Sequence, residues 1–365
     1  MSQTNLPLPL AEKTNIRNWD FDNLVLQADV PMPKIDTSKY SPKGAKNVIV
    51  MCDGGVIEQT LEPCVTITLE GMKIPQNNKL LLLNTQTCNS SITINVAKNA
   101  KLEEPLYVVY LAQERSLVHQ TSMNISEGAE LDIVESFISS TNLNSNIVCH
   151  VRLGANAKLN SSIINSLNGV NTVYYHRFTE VDRDASLETY NFVVNDSNVV
   201  FEDFTDLKGK GAEANVTTVA LASVKQQVNL TVRIQNGAPQ SIGNIVNYGI
   251  VKDEAHLAIN GVGKVLHGMR GSDNQQESRL LNLSKVAEAV ANPFLLIDEG
   301  DITAGHAASI GQLNEEQVYY LMSRGLTREA SERAIAMGFL TPFANAIEND
   351  TLKEQLLATI REKLG

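Results

Sequence analysis

The sequence predicts a mainly β protein whose core is a right-handed parallel β-helix, a solenoid in which the chain winds through stacked strands. Two observations predict the core: short runs of alternating apolar and polar residues, and a small turn motif that recurs at nearly constant spacing. A third observation, the change to helical periodicity near the end, predicts a C-terminal helical domain. The predicted divisions are an N-terminal arm over 1–45, the β-helix core over 46–312 and the helical domain over 313–365.

The N-terminal arm contains the single tryptophan, Trp19, and several prolines that disfavour regular structure. These prolines are Pro7, Pro9, Pro31, Pro33 and Pro42. Trp19 has Phe21 and Leu24 as close neighbours along the chain. We expect the three side chains to pack a short helix or turn of the arm onto the main body.

From residue 46 to about 290 the sequence is rich in Val, Ile, Leu, Thr, Asn and Ser and lacks helical periodicity. Runs such as SITINVAK and ELDIVESF alternate with period two, which is typical of strands with one buried face. We therefore expect strands throughout this region.

Within these strands a turn residue, an alanine, a variable residue and usually a leucine recur. The units are NAKL at Asn99, GAEL at Gly128, NAKL at Asn156, DASL at Asp184, GAEA at Gly211 and a looser GAPQ at Gly237. Their alanines are spaced by 29, 28, 28, 27 and 26 residues, which falls within the range of solenoid repeats. Each unit offers a turn residue that tolerates positive φ, a small residue at a close backbone approach and an inward apolar residue. A β-sandwich is the competing architecture, although its strands repeat at about 8 to 12 residues without a longer period.

After Pro293 the sequence predicts a buried strand, FLLI, followed by an acidic turn, DEGD. His306 comes next, within DITAGHAASIG, where its neighbours are too small to bury it. We expect His306 to lie in an accessible turn between the last strand and the first helix. A lone loop histidine is more often structural than a ligand, so chemistry alone does not make it a site.

Capping residues predict three helices at the C-terminus. Asn314 begins the first, with Gln317 three residues later, and Gly325 ends it. Thr327 begins the second, which we expect Gly338 to end. Asp350 is a cap for the third, whose apolar stripe consists of Leu352, Leu356, Leu357 and Ile360.

Composition argues against several classes of function. The net charge is −11 and no basic cluster is present, so nucleic acid and anionic membrane surfaces are poor partners. The first 30 residues lack a signal-type apolar run and no stretch approaches the roughly 18 apolar residues of a membrane span, which predicts a cytoplasmic protein. No GxxxxGK[ST] loop exists, so energy from ATP would have to come from another chain.

The four cysteines are scattered without the paired spacing of a zinc site. They are Cys52, Cys64, Cys88 and Cys149. We expect small buried hydrophobic residues without disulfides. Glu135 and His119, which lie in the strand repeats, are interpreted as structural.

The stretch DITAGHAASIG and the helical segment EEQVYYLMSRGLTREASERAIAMGFL resemble the C-terminal signature of the SufB/SufD family. Members of that family partner an ABC-type ATPase in iron-sulfur cluster assembly. The residues that match in type are Asp301, Ile302, Gly305, His306, Ala307 and Ala308. Some members carry a cysteine where this chain has Ala304, and SufB-type chains carry an upstream cysteine that is missing from QQESRLLNLS, Gln275 to Ser284. The departures favour the SufD type.

The resemblance implies a non-catalytic subunit that pairs with a SufB-like scaffold and a SufC-like ABC-type ATPase, with a homodimer possible in isolation. It also implies that His306 contributes at the subunit interface to iron acquisition or nascent cluster formation, with further ligands from a partner chain. Clusters are normally held by several thiolates, and no cysteine lies near this motif. We therefore expect no cofactor bound tightly by this chain alone, only transient iron or an iron-sulfur cluster shared with a partner.

The helical segment resembles the module that binds the ATPase subunit in the family. Its candidate contact residues are Tyr319, Tyr320, Leu321, Arg324, Ile335 and Phe339. Exposed aromatic residues around an arginine are typical of protein interfaces, although each of these side chains can equally pack the helices together.

Two other functions remain as alternatives. The first is a carbohydrate-active or carbohydrate-binding β-helix protein, which as an enzyme would need carboxylates aligned on neighbouring turns and usually a secretion signal. The second is a purely structural solenoid, which would not need a capped helical end with a histidine.

Overall fold

The computed structural model describes residues 6–26, 35–37, 40, 44–139, 141–167, 169, 171–345 and 350–365. Pro31, Pro33 and Pro42 of the arm lie outside the described residues. The strands are β1 (Val48–Cys52), β2 (Gly55–Thr60), β3 (Val65–Thr68), β4 (Ser90–Val96), β5 (Leu106–Ala112), β6 (Val118–Ile125), β7 (Glu130–Ser139), β8 (Ser145–Leu153), β9 (Lys158–Leu167), β10 (Thr172–Val181), β11 (Ser186–Val193), β12 (Asn198–Leu207), β13 (Glu213–Ala222), β14 (Gln227–Asn236), β15 (Ile242–Val251), β16 (His256–Val265), β17 (Asp273–Asn282), β18 (Glu288–Ile297) and β19 (Thr303–Gln312). The helices are α1 (Lys79–Thr87), α2 (Glu315–Ser323), α3 (Arg328–Ala344) and α4 (Asp350–Leu364).

From β4 onward the chain alternates between two sheets, so that each turn of the solenoid contributes one strand to each. Sheet A has the order β19-β17-β15-β13-β11-β9-β7-β5-β1-β2, and sheet B has the order β18-β16-β14-β12-β10-β8-β6-β4-β3. Neighbours are parallel except for two antiparallel pairs at the start, β1 with β2 and β3 with β4. The parallel β-helix prediction is confirmed, and the sandwich alternative is wrong.

The recurring turn motif forms one corner of the solenoid. Asn99, Gly128, Asn156, Asp184 and Gly211 have φ between 54° and 70°, the left-handed region that the motif predicted. Each backbone N–H donates a hydrogen bond to a carbonyl one turn further along, as from Asn99 to Glu127 at 3.0 Å. The corner residues therefore stack in register along the solenoid.

The sequence prediction assigned the wrong register to the sixth unit, GAPQ. The left-handed residue of that turn is Gln240, not Gly237. Glu213 pairs with Ile242, so Ser241 occupies the position that an alanine holds in the preceding turns. Serine is also small, which is why a search for alanine alone missed the continuation of the repeat.

The N-terminal arm and α1 cover the outer face of sheet B. Ile16 and Phe21 of the arm are buried against Leu80 and Leu81 of α1 and against Tyr174 and other outward residues of the sheet. The arm packs as turns, one of the two forms expected. The expectation of strands alone was wrong here: Asn78 caps α1, and burial of its leucines on the sheet stabilises a helix of nine residues.

The helices α3 and α4 cover part of the outer face of sheet A. Ala336 and Leu340 of α3 and Leu356 and Ile360 of α4 share one core with outward residues of the sheet, including Phe192. Leu357 is buried with them, as the predicted stripe required, while the side chain of Leu352 lies outside the described residues. The lysine near the end of α4, Lys363, bonds to Asp196 at 3.2 Å and fixes the helix to the solenoid.

The helix boundaries agree with the predicted caps at Asn314, Gly325 and Thr327 but not at Gly338, and Asp350 lies inside α4 as its first residue. Asn314 accepts from the N–H groups of Glu316 and Gln317, and Thr327 accepts from Ala330. However, α3 continues through Gly338 to Ala344. The burial of Leu340 and Ala344 on sheet A outweighs the low helix propensity of glycine at this position.

The last turn of the solenoid, β18 and β19, is open to solvent. Each strand lies at the edge of its sheet, and no further strand among the described residues pairs with it. FLLI forms part of β18 as predicted, but it is not buried: Leu296 is 52% exposed and Ile297 is 39% exposed. Sequence reasoning assigned burial from apolar character, and a terminal turn has nothing stacked on its far side.

Candidate functional site

His306 lies within β19 and not in a turn, which corrects the sequence prediction. It pairs in register with Gln276 of β17, which in turn pairs with Ile245 of β15, a core residue. Residues in register on parallel strands share one face of the sheet, so His306 faces the solenoid axis. It is exposed, as predicted, because none of the described residues forms a turn that covers this last turn of the solenoid.

Small and apolar side chains surround His306 at this open end. Gly305, Ala307 and Ala308 adjoin it along β19 and leave the imidazole accessible. On the same inward face of β19, Ile310 pairs with the core residue Leu280 and is 50% exposed. The site therefore combines one imidazole with small and apolar side chains and with two strand edges that no other strand of the described residues pairs with.

In the acidic turn DEGD between β18 and β19, the carboxylate of Glu299 is engaged in hydrogen bonds with nearby backbone groups. The Glu299 carboxylate accepts from the backbone N–H groups of Gly268, Gly300 and Asp301. These bonds hold the pKa of Glu299 below its usual range. The Glu299 carboxylate therefore organises the turn.

Among the described residues, no group of three or more His, Cys, Asp or Glu side chains is close enough together to hold a metal ion. Cys52 and Cys149 are buried, and burial raises the pKa of each of these thiols to about 12. Cys64 and Cys88 are only half-buried, so the expectation of four buried cysteines was wrong for these two. Burial also raises the pKa of Cys88. His306 is therefore not part of such a group among the described residues.

The predicted ATPase-docking residues fall into two groups. Tyr319 is 74% exposed and Tyr320 is 56% exposed, and the Arg324 guanidinium lies 5.2 Å from the centre of the Tyr320 ring. Leu321 and Ile335 are half-buried. Phe339 is half-buried against the solenoid, with its ring 5.3 Å from that of Tyr248.

The solenoid interior contains a polar cluster that sequence reasoning did not recognise. Arg177 is fully buried between two carboxyl groups, with Glu135 at 3.9 Å and Asp203 in register on the next strand. Burial raises the pKa of both carboxyl groups, while the nearby guanidinium opposes the rise. Glu135 had been interpreted as structural. The sequence does show charged residues at alternate positions of apolar strands. It does not show which of the two alternating sets of side chains in each strand points into the solenoid.

His119 belongs to the same interior. Its Nδ1 lies 2.7 Å from the Ser90 hydroxyl and its Nε2 lies 2.8 Å from the Thr121 hydroxyl. The ring packs against that of Tyr110 in a tilted arrangement, with centroids 4.4 Å apart. Burial lowers the pKa of His119 to about 3, so the ring is neutral and acts as a hydrogen-bonding core residue.

Comparison with known proteins gives one consistent result. Residues 108–339 match the family model described as "SUF system FeS cluster assembly, SufBD core domain". The iron-sulfur cluster assembly protein SufD of Bacillus subtilis (strain 168) is 31% identical, covering 99% of this chain and 91% of that protein. SufD of Escherichia coli (strain K12) is 23% identical over 77% of this chain and 68% of that protein. SufB of B. subtilis is 25% identical over 75% of this chain and 60% of that protein.

None of the helices among the described residues is long and apolar enough to cross a membrane.

Proposed function

The chain belongs to the SufBD core family of iron-sulfur cluster assembly proteins, and from that premise we propose that it serves as the SufD-type, non-catalytic subunit of an assembly complex. The observation that carries the proposal is His306, an accessible imidazole that faces the axis of an uncovered last turn. Its partners would be a SufB-like scaffold and a SufC-like ATPase in the cytoplasm. The carbohydrate alternative is not favoured by the family assignment.

The open end is the surface proposed for the scaffold partner. β18 and β19 are each ten residues long and present unpaired N–H and C=O groups beside exposed apolar side chains. Such an edge is prone to pairing with another chain unless it is covered. A SufB-like solenoid end would cover it in the working complex, and a second copy of this chain would cover it in isolation.

At that junction His306 would offer one nitrogen ligand to iron or to a nascent cluster, with thiolates supplied by the partner. Imidazole is an established ligand of iron, and thiolates hold most iron-sulfur clusters. The iron or cluster is cargo shared between the two chains. This chain's own contribution is the position of His306, which its pairing in β19 fixes.

Replacement of His306 by alanine tests the proposal. We expect His306→Ala to form the complex with both partners but to reduce anaerobic cluster reconstitution, followed by visible absorbance. The loss should be at least the roughly tenfold that removal of an outer hydrogen-bonding partner of a metal ligand costs. His267→Ala is the matched control, because His267 is exposed near the same end and its ring bonds to the backbone carbonyl of Asp298 at 3.2 Å. Wild-type cluster yield in His306→Ala would contradict the proposed role.

The exposed aromatic pair on α2 is the surface proposed for the ATPase subunit. We expect the double replacement of Tyr319 and Tyr320 by alanine to weaken ATPase-subunit binding about 30-fold or more, because exposed tyrosines beside an arginine are frequent interface hot spots. Calorimetric titration of the purified chains measures the change. Leu69→Ala, which truncates a side chain that is 54% exposed on another part of the molecule, should leave binding unchanged. Equal affinity of the double variant and the wild type would locate the ATPase contact elsewhere.

A further inference from the structure

The solenoid interior contains many polar atoms that have no protein partner. Among the described residues, thirteen buried side-chain nitrogen or oxygen atoms lack a hydrogen-bond partner. Eleven of them belong to residues that face the solenoid axis. These are Tyr175 Oη, Asn165 Nδ2, Arg177 Nε and Nη2, the Oγ1 atoms of Thr179, Thr189 and Thr205, the Oδ1 atoms of Asn191, Asn247 and Asn274, and Gln276 Oε1. Buried polar groups in folded proteins are almost always paired, so this concentration requires partners other than the described residues.

The unpaired atoms follow a continuous path along sheet A. Asn191 on β11, Thr218 on β13, Asn247 on β15 and Ser278 on β17 are consecutive partners in one register row. Adjacent strands are spaced by about 4.8 Å, so each polar side chain lies next to the following one. Hydrogen bonds join Asn191 to Thr218 at 3.4 Å and Asn247 to Ser278 at 3.2 Å. The path ends beside Gln276, whose register partner is His306.

The inner end of the path is the Arg177 cluster. Arg177 donates one hydrogen bond from Nη1 to the Ser161 hydroxyl at 3.2 Å, and its Nε and Nη2 have no partner. Asn191 donates to Asp203 at 2.8 Å, which ties the cluster to the row on sheet A. A guanidinium carries five N–H donors and remains charged in proteins, so it cannot stay buried with most of them unsatisfied.

Near the outer end of the path, two glycines of β16 leave space that is filled by inward-pointing amide side chains. A Cβ atom at Gly261 would lie 2.5 Å from Gln276 Oε1, and one at Gly263 would lie 2.1 Å from Asn274 Oδ1. Reversing the Gln276 amide would not pair it, because its Nε2 donates to the Phe294 carbonyl at 2.8 Å and would then lose that bond. The inward amides therefore occupy space left by glycine and keep one end unpaired in either orientation.

We propose that the solenoid interior binds a file of ordered water molecules that runs from the Arg177 cluster along Asn191, Asn247 and Gln276 to the open end beside His306. Charge decides the occupant. One guanidinium faces two carboxyl groups, so the cluster has no excess positive charge to hold an anion, and Arg177 itself repels a cation. Water can both donate and accept, as the mixture of unpaired donors and acceptors requires. The water file does not depend on the proposed function.

A crystal structure of the full chain, refined at a resolution that shows ordered water, tests the occupancy. The expected result is water density within hydrogen-bonding distance of Arg177 Nε, Asn247 Oδ1 and Gln276 Oε1. Absence of density at these atoms, or a rearrangement in which they pair with one another, would overturn the proposal.

Exchange of the Arg177 Nε–H proton with solvent tests whether the file is continuous. In arginine-labelled protein, we expect Asn247→Leu to slow this exchange at least about tenfold, because an apolar side chain of similar size interrupts the row. Asn244→Leu on the same strand is the matched control, since Asn244 faces outward and bonds to Asn215 at 2.8 Å. It should leave exchange unchanged. Equal exchange in Asn247→Leu and the wild type would show that solvent does not reach Arg177 along this path.

Discussion

Replacement of Arg177 by methionine is expected to lower the free energy of unfolding by about 3 to 5 kcal/mol, the cost of removing one partner from a buried ion group. Arg177 is fully buried between Glu135 and Asp203. Its loss leaves two carboxyl groups buried without a counter-charge, where each must either remain charged without compensation or bind a proton. Urea denaturation of the variant and the wild type at pH 7 measures the difference.

Two comparisons separate charge compensation from simple loss of packing. The triple variant Arg177→Met, Glu135→Gln, Asp203→Asn should recover much of the lost stability, because no charge remains unpaired. Arg152→Met should cost less than about 1 kcal/mol, since Arg152 is half-exposed and pairs with Glu180 at the surface. If the triple variant were no more stable than Arg177→Met, packing of the long side chain would be the main contribution of Arg177.

Stability should fall as the pH decreases from about 6.5 toward 3, because His119 must then bind a proton in the unfolded chain but not in the folded one. Burial lowers the pKa of His119 to about 3 in the folded protein, against an ordinary value of 6.5. The contribution of His119 is therefore fully present above the unfolded pKa and is lost as the pH falls through this window. The slope is about 1.4 kcal/mol per pH unit, and the full effect is on the order of 4 kcal/mol.

Other groups also titrate in this range, so the measurement is a difference between variants. Glu135 and Asp203 have raised pKa values and act in the opposite direction, since they favour the folded state at low pH. His119→Gln should remove the His119 slope between pH 6.5 and 5 while leaving that of the carboxyl groups. His267→Gln at an exposed turn should keep the wild-type slope. A slope for His119→Gln equal to that of the wild type would mean that the buried ring is protonated in the folded protein.

The parts of the fold that could be predicted from the sequence are those that depend on the chemistry of a few neighbouring residues. The corner residues at Asn99, Gly128, Asn156 and Asp184 need a left-handed backbone, and only a few residue types tolerate it. The spacing of these residues in the sequence therefore equals the number of residues in one turn of the solenoid. The caps at Asn314 and Thr327 were recognisable for the same reason, since a side-chain oxygen must satisfy the first N–H groups of each helix.

The missed features depend on contacts between distant parts of the chain. α1 is stable because Leu80 and Leu81 meet the arm and sheet B, and α3 passes Gly338 because Leu340 packs on sheet A. His306 looked like a turn residue because glycine and alanine surround it, but pairing with β17 makes it part of a strand. To predict that Arg177 is buried, one must know which side chains of each strand point inward, and the alternation alone does not show this.

The two ends of the solenoid differ, and this sets how far end-to-end association can proceed. The last turn offers parallel edges of ten residues, whereas the first turn is bordered by the short antiparallel strands β2 and β3, of six and four residues. The first turn therefore does not present the same pair of long parallel edges to another copy's last turn. The association proposed above, through the open ends, would use both long edges when two chains meet, so growth would stop at a closed pair and not continue into a filament.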